Sequence, residues 1–234
     1  MKKHINKEEK QVRMTEPKYY DDLIALYLAF RDTVFNPSSV LHPACYDDAS
    51  PSKVFAQVTY VDIETEIMKM FRQHGLDAYG QDIREYKPKV EHDLAILLNP
   101  QMPAAWASQH IRSGGYILAN DYHKTARGMY EQPKAFELVG TLDFVEPDRR
   151  KGDMCVRYSQ NLEGLYVPVQ DFDELKNLRP EAYDFIIRAH GNMWKIMRLQ
   201  GTSEENYLRE QEIGGDPVVL PSKRVADRYI FRKR

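Results

Sequence analysis

The stretch SSVLHPACYDDASPSKVFAQVTYVDIETEIMKMFRQHG, residues 38–75, decides the fold. Two strand-like runs, SSVLH (38–42) and VTYVDI (58–63), flank a polar loop, and the second leads directly into a helical pattern. From Glu64 to His74 that pattern carries Ile67, Met68, Met70 and Phe71, and Gly75 stands just past its end, a position that favours a left-handed residue. Strand, helix and next strand in succession form the unit of a parallel sheet with right-handed crossovers.

The alternation continues outward from this stretch. A weak run, LDAYG (76–80), is followed by DLAILL (93–98), a helical segment from Ala104 to Ile111, the pair Gly114-Gly115 and the run GYILAN (115–120). DLAILL is almost wholly apolar, as a central strand covered on both faces must be. Toward the N-terminus, Tyr20, Leu23, Ile24, Tyr27, Phe30 and Val34 recur at helical spacing, with Asp21 and Asp22 in the first turn, where negative charge suits the helix dipole. Asn36-Pro37 ends that helix, because a residue before proline is pushed out of the α region. Residues 1–18 are charged and aperiodic and read as a flexible, solvated arm.

Past residue 120 the pattern changes. FELVGTLDF (136–144) and MCVRYS (154–159) flank the turn-rich VEPDRRKGD and read as an antiparallel hairpin closing the sheet. A helical segment follows from about Asp171, then a longer helix from Pro180 to Leu199 with Ala182, Phe185, Ile186, Ala189, Met193, Ile196 and Met197 on one stripe. Trp194 lies among that stripe's methionines and reads as core. The tail after Pro221 sets Lys223, Arg224, Arg228, Arg232, Lys233 and Arg234 against Asp227. It reads as a solvated terminus, with contact to RNA or an anionic partner as the alternative. The expected organisation is an arm at 1–18, an α/β domain at 19–160 and a helical extension at 161–234 packed on the same domain.

Composition narrows the function classes. The 234 residues are 42% hydrophobic, and 33 basic against 35 acidic side chains leave a net charge of −2, which gives no whole-molecule attraction to nucleic acid or an anionic membrane. No apolar run approaches the roughly 20 residues that cross a bilayer. The charged N-terminus lacks the apolar stretch of a signal peptide, so the reading is a cytoplasmic protein without a membrane partner. Cys45 and Cys155 are too few for a disulfide framework, and His42, Cys45 and Asp47 are not completed into a metal site by a second cluster.

The order of elements, with the motifs at their ends, resembles the class I S-adenosylmethionine-dependent methyltransferases over about residues 20–160. The resemblance implies a Rossmann-like, mostly parallel α/β sheet with the cofactor across the carboxyl ends of the strands. It places the cofactor against His42, Pro43, Ala44 and Cys45 of the first loop and against Asp62 and Ile63. Asp62 would accept hydrogen bonds from the ribose hydroxyls, for which an acceptor-only carboxylate is suited. Read from position alone, Asp62 also fits a cap for the helix starting at Glu64. Gln81, Asp82 and Ile83 resemble the segment that meets adenine. Asn99-Pro100 resembles part of the motif facing the acceptor, without the second proline and aromatic of the amino-methylating enzymes. Asn99, with Tyr122 and His123 after the fifth strand, form the candidate catalytic set, His123 as a general base.

The family's first loop is glycine-rich, whereas HPACYDDASP has no glycine. Two functions follow: a methyltransferase using S-adenosylmethionine on an undetermined acceptor, or a methyltransferase-like interaction module that has lost its cofactor because Tyr46 or Asp47 fills the site. Acceptor and oligomeric state are not legible in the sequence.

Overall fold

The computed structural model describes residues 16–145, 155–170, 172–184, 196–198, 209–211 and 222–234. Its centre is an eight-stranded sheet of order β3-β2-β1-β4-β5-β10-β6-β7, built from β1 (Val40–Pro43), β2 (Val58–Asp62), β3 (Asp77–Gly80), β4 (His92–Leu97), β5 (Ile111–Ala119), β6 (Phe136–Val145), β7 (Cys155–Ser159) and β10 (Arg228–Lys233). Strands β1 to β5 pair parallel to one another, whereas β10 runs antiparallel to both β5 and β6, and β7 is antiparallel to β6.

Period-two alternation sorts the strand residues onto two faces. Val40, Val58, Tyr60, Leu94, Ile96, Leu118 and Ile230 join one buried cluster, with Leu26, Tyr27 and Phe30 of α1 (Asp21–Thr33) and Met68 and Phe71 of α2 (Thr65–Gln73). Their sequence neighbours Leu41, Val61, Ala95, Leu97, Ile117, Ala119, Tyr229 and Phe231 join the other, with Ala107 of α3 (Ala104–Ser108) and Ala126 and Met129 of α4 (Thr125–Tyr130). Both faces of β4 are thus covered, which explains why it reads as an unbroken apolar run. Each fully buried Leu or Ile contributes about 1.5–3 kcal/mol through loss of exposed apolar surface. Gly115 is required in β5, since a Cβ there would stand 2.7 Å from Ile111 Cγ2 and 2.9 Å from the Asp93 carbonyl oxygen.

Several expectations are corrected. The basic tail is not a solvated terminus: Tyr229, Ile230 and Phe231 are buried in a strand between β5 and β6. Its charges are absorbed at the sheet's rim, Lys233 Nζ donating to the carbonyls of Ser108 (3.0 Å) and Ile111 (2.6 Å) and Arg224 lying 3.5 Å from Asp143. Three apolar residues between six cations are too short a run to announce a strand, and pairing with β5 and β6 supplies what the local pattern lacks. The extension beyond residue 160 is therefore not wholly helical. It contains α5 (Phe172–Leu178) and helical residues 180–184, but residues 196–198 form β8 (Ile196–Arg198), paired with β9 (Arg209–Gln211), where the helix was expected to continue to Leu199. Trp194 and the stripe from Phe185 to Met193 lie outside the described residues. The arm is pinned at its end: Pro17 is buried and the Lys18 backbone pairs with Asp47 and Ala49. The rest of the arm, to residue 15, lies outside the described residues.

Candidate functional site

The chain reverses its progress across the sheet at β1, which lies between β2 and β4, and a crevice forms at such a reversal outside the carboxyl ends of the strands. A cavity of about 410 Å³ occupies that place. Every loop leaving β1 to β4 reaches it: Ala44 and Tyr46 after β1, Val61 to Glu64 at the end of β2, Gln81 to Ile83 after β3, and Asn99, Gln101 and Met102 after β4, with Trp106 of α3. Its volume lies in the range of small-molecule and cofactor sites.

The glycine-free loop is open because its backbone takes a glycine-like path. Ala44 and Tyr46 have φ of 50° and 49°, in the left-handed region that costs a non-glycine residue about 1–2 kcal/mol. Hydrogen bonds hold the path: the Ala44 N–H donates to the Val61 carbonyl (2.9 Å) and the Tyr46 N–H to Asp62 Oδ2 (2.9 Å). Asp62 Oδ1 accepts the Glu64 N–H at 3.0 Å. The residue flanking α2 is Glu64, without a side-chain cap, so Asp62 does not cap the helix; each of its oxygens keeps a second lone pair and the residue lines the cavity. Asn99 (φ 57°) and Lys124 (φ 59°) are also left-handed, so four strained non-glycine residues stand beyond β1, β4 and β5 on one edge of the sheet. Strain of this kind gathers at functional sites.

Asp47 and Asp48 do not fill the cavity. Asp47 turns to Lys18 Nζ (2.7 Å) and the Tyr20 hydroxyl, and Asp48 accepts from the Tyr27 hydroxyl and the Ser50 N–H. Tyr46 lines the cavity with its side of the loop and is 53% exposed.

Of the residues singled out from the sequence, Ala44, Asp62, Ile63, Gln81, Asp82, Ile83 and Asn99 meet around this cavity, and His42, Pro43, Cys45 and Pro100 lie outside its lining. His42 is buried beneath the loop, its Nε2 3.9 Å from Asp48 Oδ2, and burial pushes its pKa down. Burial likewise raises the Cys45 thiol well above its ordinary range, which leaves it without thiolate character. Arg84 grips Asp82 through Nε (3.0 Å) and Nη2 (2.6 Å) and lowers its carboxyl pKa to about 2. The same guanidinium lies 4.2 Å from the centre of the Trp106 ring, which ties the loop after β3 to α3.

A second cavity, of about 550 Å³, adjoins the first and shares Gln101 and Met102 with it. His123, Lys124 and Thr125 line it, on the turn between β5 and α4. Tyr122 lines neither cavity; its ring packs edge-on against His123 at 4.5 Å. Sequence reasoning missed Trp106 and Lys124 as site residues. Trp106 falls within the segment read only as a helix from Ala104 to Ile111, and α4, six residues long, is too short to show a period.

No family model and no curated protein matches the sequence. Solved structures do match. A possible histamine N-methyltransferase from Thermotoga maritima has 12% identity and a TM-score of 0.43 over 59% of this chain and 83% of its own. The N-methyltransferase NodS from Bradyrhizobium japonicum, solved with S-adenosylhomocysteine, has 12% identity and a TM-score of 0.42 over 64% and 91%. An amino-pentose methyltransferase from Micromonospora echinaspora, solved with S-adenosylmethionine, has 18% identity and a TM-score of 0.38; the match spans 44% of this chain and about half, 51%, of that one. The strand order, the reversal at β1 and the mixed closing flank decide the architecture. The fold is a Rossmann-like, mostly parallel α/β sheet with an antiparallel flank. The first cavity lies outside the carboxyl ends of the strands at the reversal, where doubly wound sheets bind ligands, and the chemistry of this chain's site follows from its own residues.

Proposed function

We propose that this chain is an S-adenosylmethionine-dependent methyltransferase that holds its cofactor in the cavity beside Asp62 and a small-molecule acceptor in the adjoining one. The observation that carries the reading is the loop after β1, kept open without glycine by strained left-handed residues whose amides are tied to Val61 and to Asp62. A loop that had only to bury a core would relax at such positions.

The residues fit the cofactor as follows. Asp62 offers its spare lone pairs to the ribose hydroxyls, Ile83 and Trp106 supply apolar faces for a purine, and the loop backbone from Ala44 to Tyr46 borders the amino-acid end. The cofactor supplies a sulfonium methyl group, an electrophile that needs no metal or redox partner. The chain's task is alignment: Gln101 and Met102, shared by the two cavities, border the path along which an acceptor approaches. His123 borders the acceptor cavity as a candidate proton acceptor.

Calorimetric titration with S-adenosylmethionine and S-adenosylhomocysteine, with NAD as control, tests the reading. Micromolar binding of the first two is expected, and Asp62→Ala should weaken it about tenfold to 150-fold, since hydrogen bonds to a charged group are worth about 1.5–3 kcal/mol. Absence of binding at millimolar ligand would hand the site to the interaction-module reading.

A further inference from the structure

Three of the seven described glycines, Gly75, Gly114 and Gly164, have φ between 75° and 78°, where glycine is at ease and other residues are strained. At three others an added Cβ would collide: 3.0 Å from Thr65 Cα at Gly80, 2.7 Å from Ile111 Cγ2 at Gly115 and 2.6 Å from Tyr158 Cε2 at Gly140. Gly128 has neither reason to be glycine. Its φ lies outside the left-handed region, and a Cβ built there meets nothing within 4 Å outside its own stretch of helix. It nevertheless stands inside α4, where glycine is less favourable than alanine.

What Gly128 does face is the second cavity. Lys124, Gly128 and Gln132 recur every four residues and Thr125 precedes Gly128 by three, so these lining residues share one side of α4 and its flanks, with Gly128 in their midst. Ala126 and Met129, on the other side, pack into the core. From the entry to α3 come Met102, Pro103 and the small residues Ala104 and Ala105, which make that part of the lining apolar. Among the described residues no Asp or Glu lines the cavity, so a cationic group entering it would leave water without a carboxylate to meet it. An apolar group gains by being buried there. The missing side chain at Gly128 and the short ones of Ala104 and Ala105 suit a flat ring.

We infer that Gly128 is a specificity-determining residue of the second cavity: the side chain it lacks makes room for an uncharged aromatic ring carried by the acceptor, which lies along α4 beside Met102. That the occupant is a methyl acceptor rests on the methyl-transfer reading; that the space over Gly128 is ligand space does not. A larger residue there closes the second cavity without entering the lining of the first.

The test follows Met102 as a reporter. Protein carrying 13C in its methionine methyl groups is titrated with phenol, benzylammonium and glycerol, with and without saturating S-adenosylhomocysteine. The Met102 signal is identified by its loss in Met102→Leu. Phenol should shift it saturably, benzylammonium about tenfold more weakly because its charge finds no counter-ion, and glycerol not at all. Gly128→Ala places one methyl group where the ring would lie. It should weaken the phenol response about tenfold, the least that one methylene is worth in an apolar pocket, and raise the melting temperature, because alanine suits a helix better. Gly128→Leu should abolish the response. No response to phenol, equal responses to phenol and benzylammonium, a response to glycerol, an undiminished response in either variant, or a lowered melting temperature for Gly128→Ala overturns the inference. Calorimetry of S-adenosylhomocysteine on the same samples reports separately on the methyl-transfer reading. Its failure would sink that reading alone, and the phenol series without the cofactor product would still decide the role of Gly128.

Discussion

The parallel half of the sheet and its antiparallel flank are built by opposite routes. From β1 to β5, three of the four pairings join strands consecutive along the chain, β1 with β4 being the exception, and every loop at the carboxyl edge from β1 to β4 contributes to one cavity. The flank is closed from far away: β10 brings Tyr229 beside Ala119 and Arg228 beside Leu142. The site therefore stands on locally specified structure, while the sheet that supports it depends on a distant segment. Changes in the flank should act on stability, and changes at the edge on binding.

The largest expected effect tests the flank. Phe231 is fully buried, and Phe231→Ala should cost about 3–5 kcal/mol. Urea denaturation would show it as a lowered midpoint. A loss below about 1 kcal/mol would mean that β10 does not help to hold the sheet. At the edge, Asp62→Asn should leave the Tyr46 and Glu64 amides an acceptor at only one of their two present partners, because the new NH2 cannot accept. We expect a lower urea midpoint and cofactor affinity reduced by at least tenfold. Equal affinity for wild type and variant would remove Asp62 from the ligand.

Acidification separates the two regions less sharply. Burial lowers the pKa of His42, under the first loop, and of His92 and His110, packed around Tyr86, from their ordinary value of 6.5. With folded values below the unfolded one, the unfolded chain binds protons first as the pH falls. The stability these residues contribute is complete above about 6.5 and declines as the pH drops through their folded values. Melting temperatures measured from pH 7.5 down to 5 should fall across that interval; a flat profile would show the three rings solvated. The smallest effect concerns the first loop. Ala44→Gly removes left-handed strain of about 1–2 kcal/mol and adds unfolded-state entropy worth about 0.4–1 kcal/mol, so a net gain of roughly 0.5–1 kcal/mol is expected. Destabilisation by this change would mean that the backbone there is unstrained.

The contrast also explains what the sequence made legible. VTYVDI and DLAILL showed themselves because a strand covered on both faces must be apolar along its length, and α2 because Met68 and Phe71 fall on one stripe. Asp62 stood out because the resemblance places a ribose acceptor at the end of the second strand. The segment Tyr229 to Phe231 gave no such signal, since its meaning lies in partners more than eighty residues away. The openness of the first loop was illegible for another reason. Composition announces glycine, but not the left-handed backbone that Ala44 and Tyr46 adopt without it.

The insertion of β10 between β5 and β6 has a consequence for how the molecule reaches its native state. Until residues 228–233 arrive, β5 and β6 each present an unsatisfied row of amides and carbonyls. Closing so long a loop is entropically slow. During that interval the nascent sheet carries open edges that another copy's β10 could fill as well as its own, so exchange of this strand between chains is the characteristic error to which the topology exposes a crowded refolding solution.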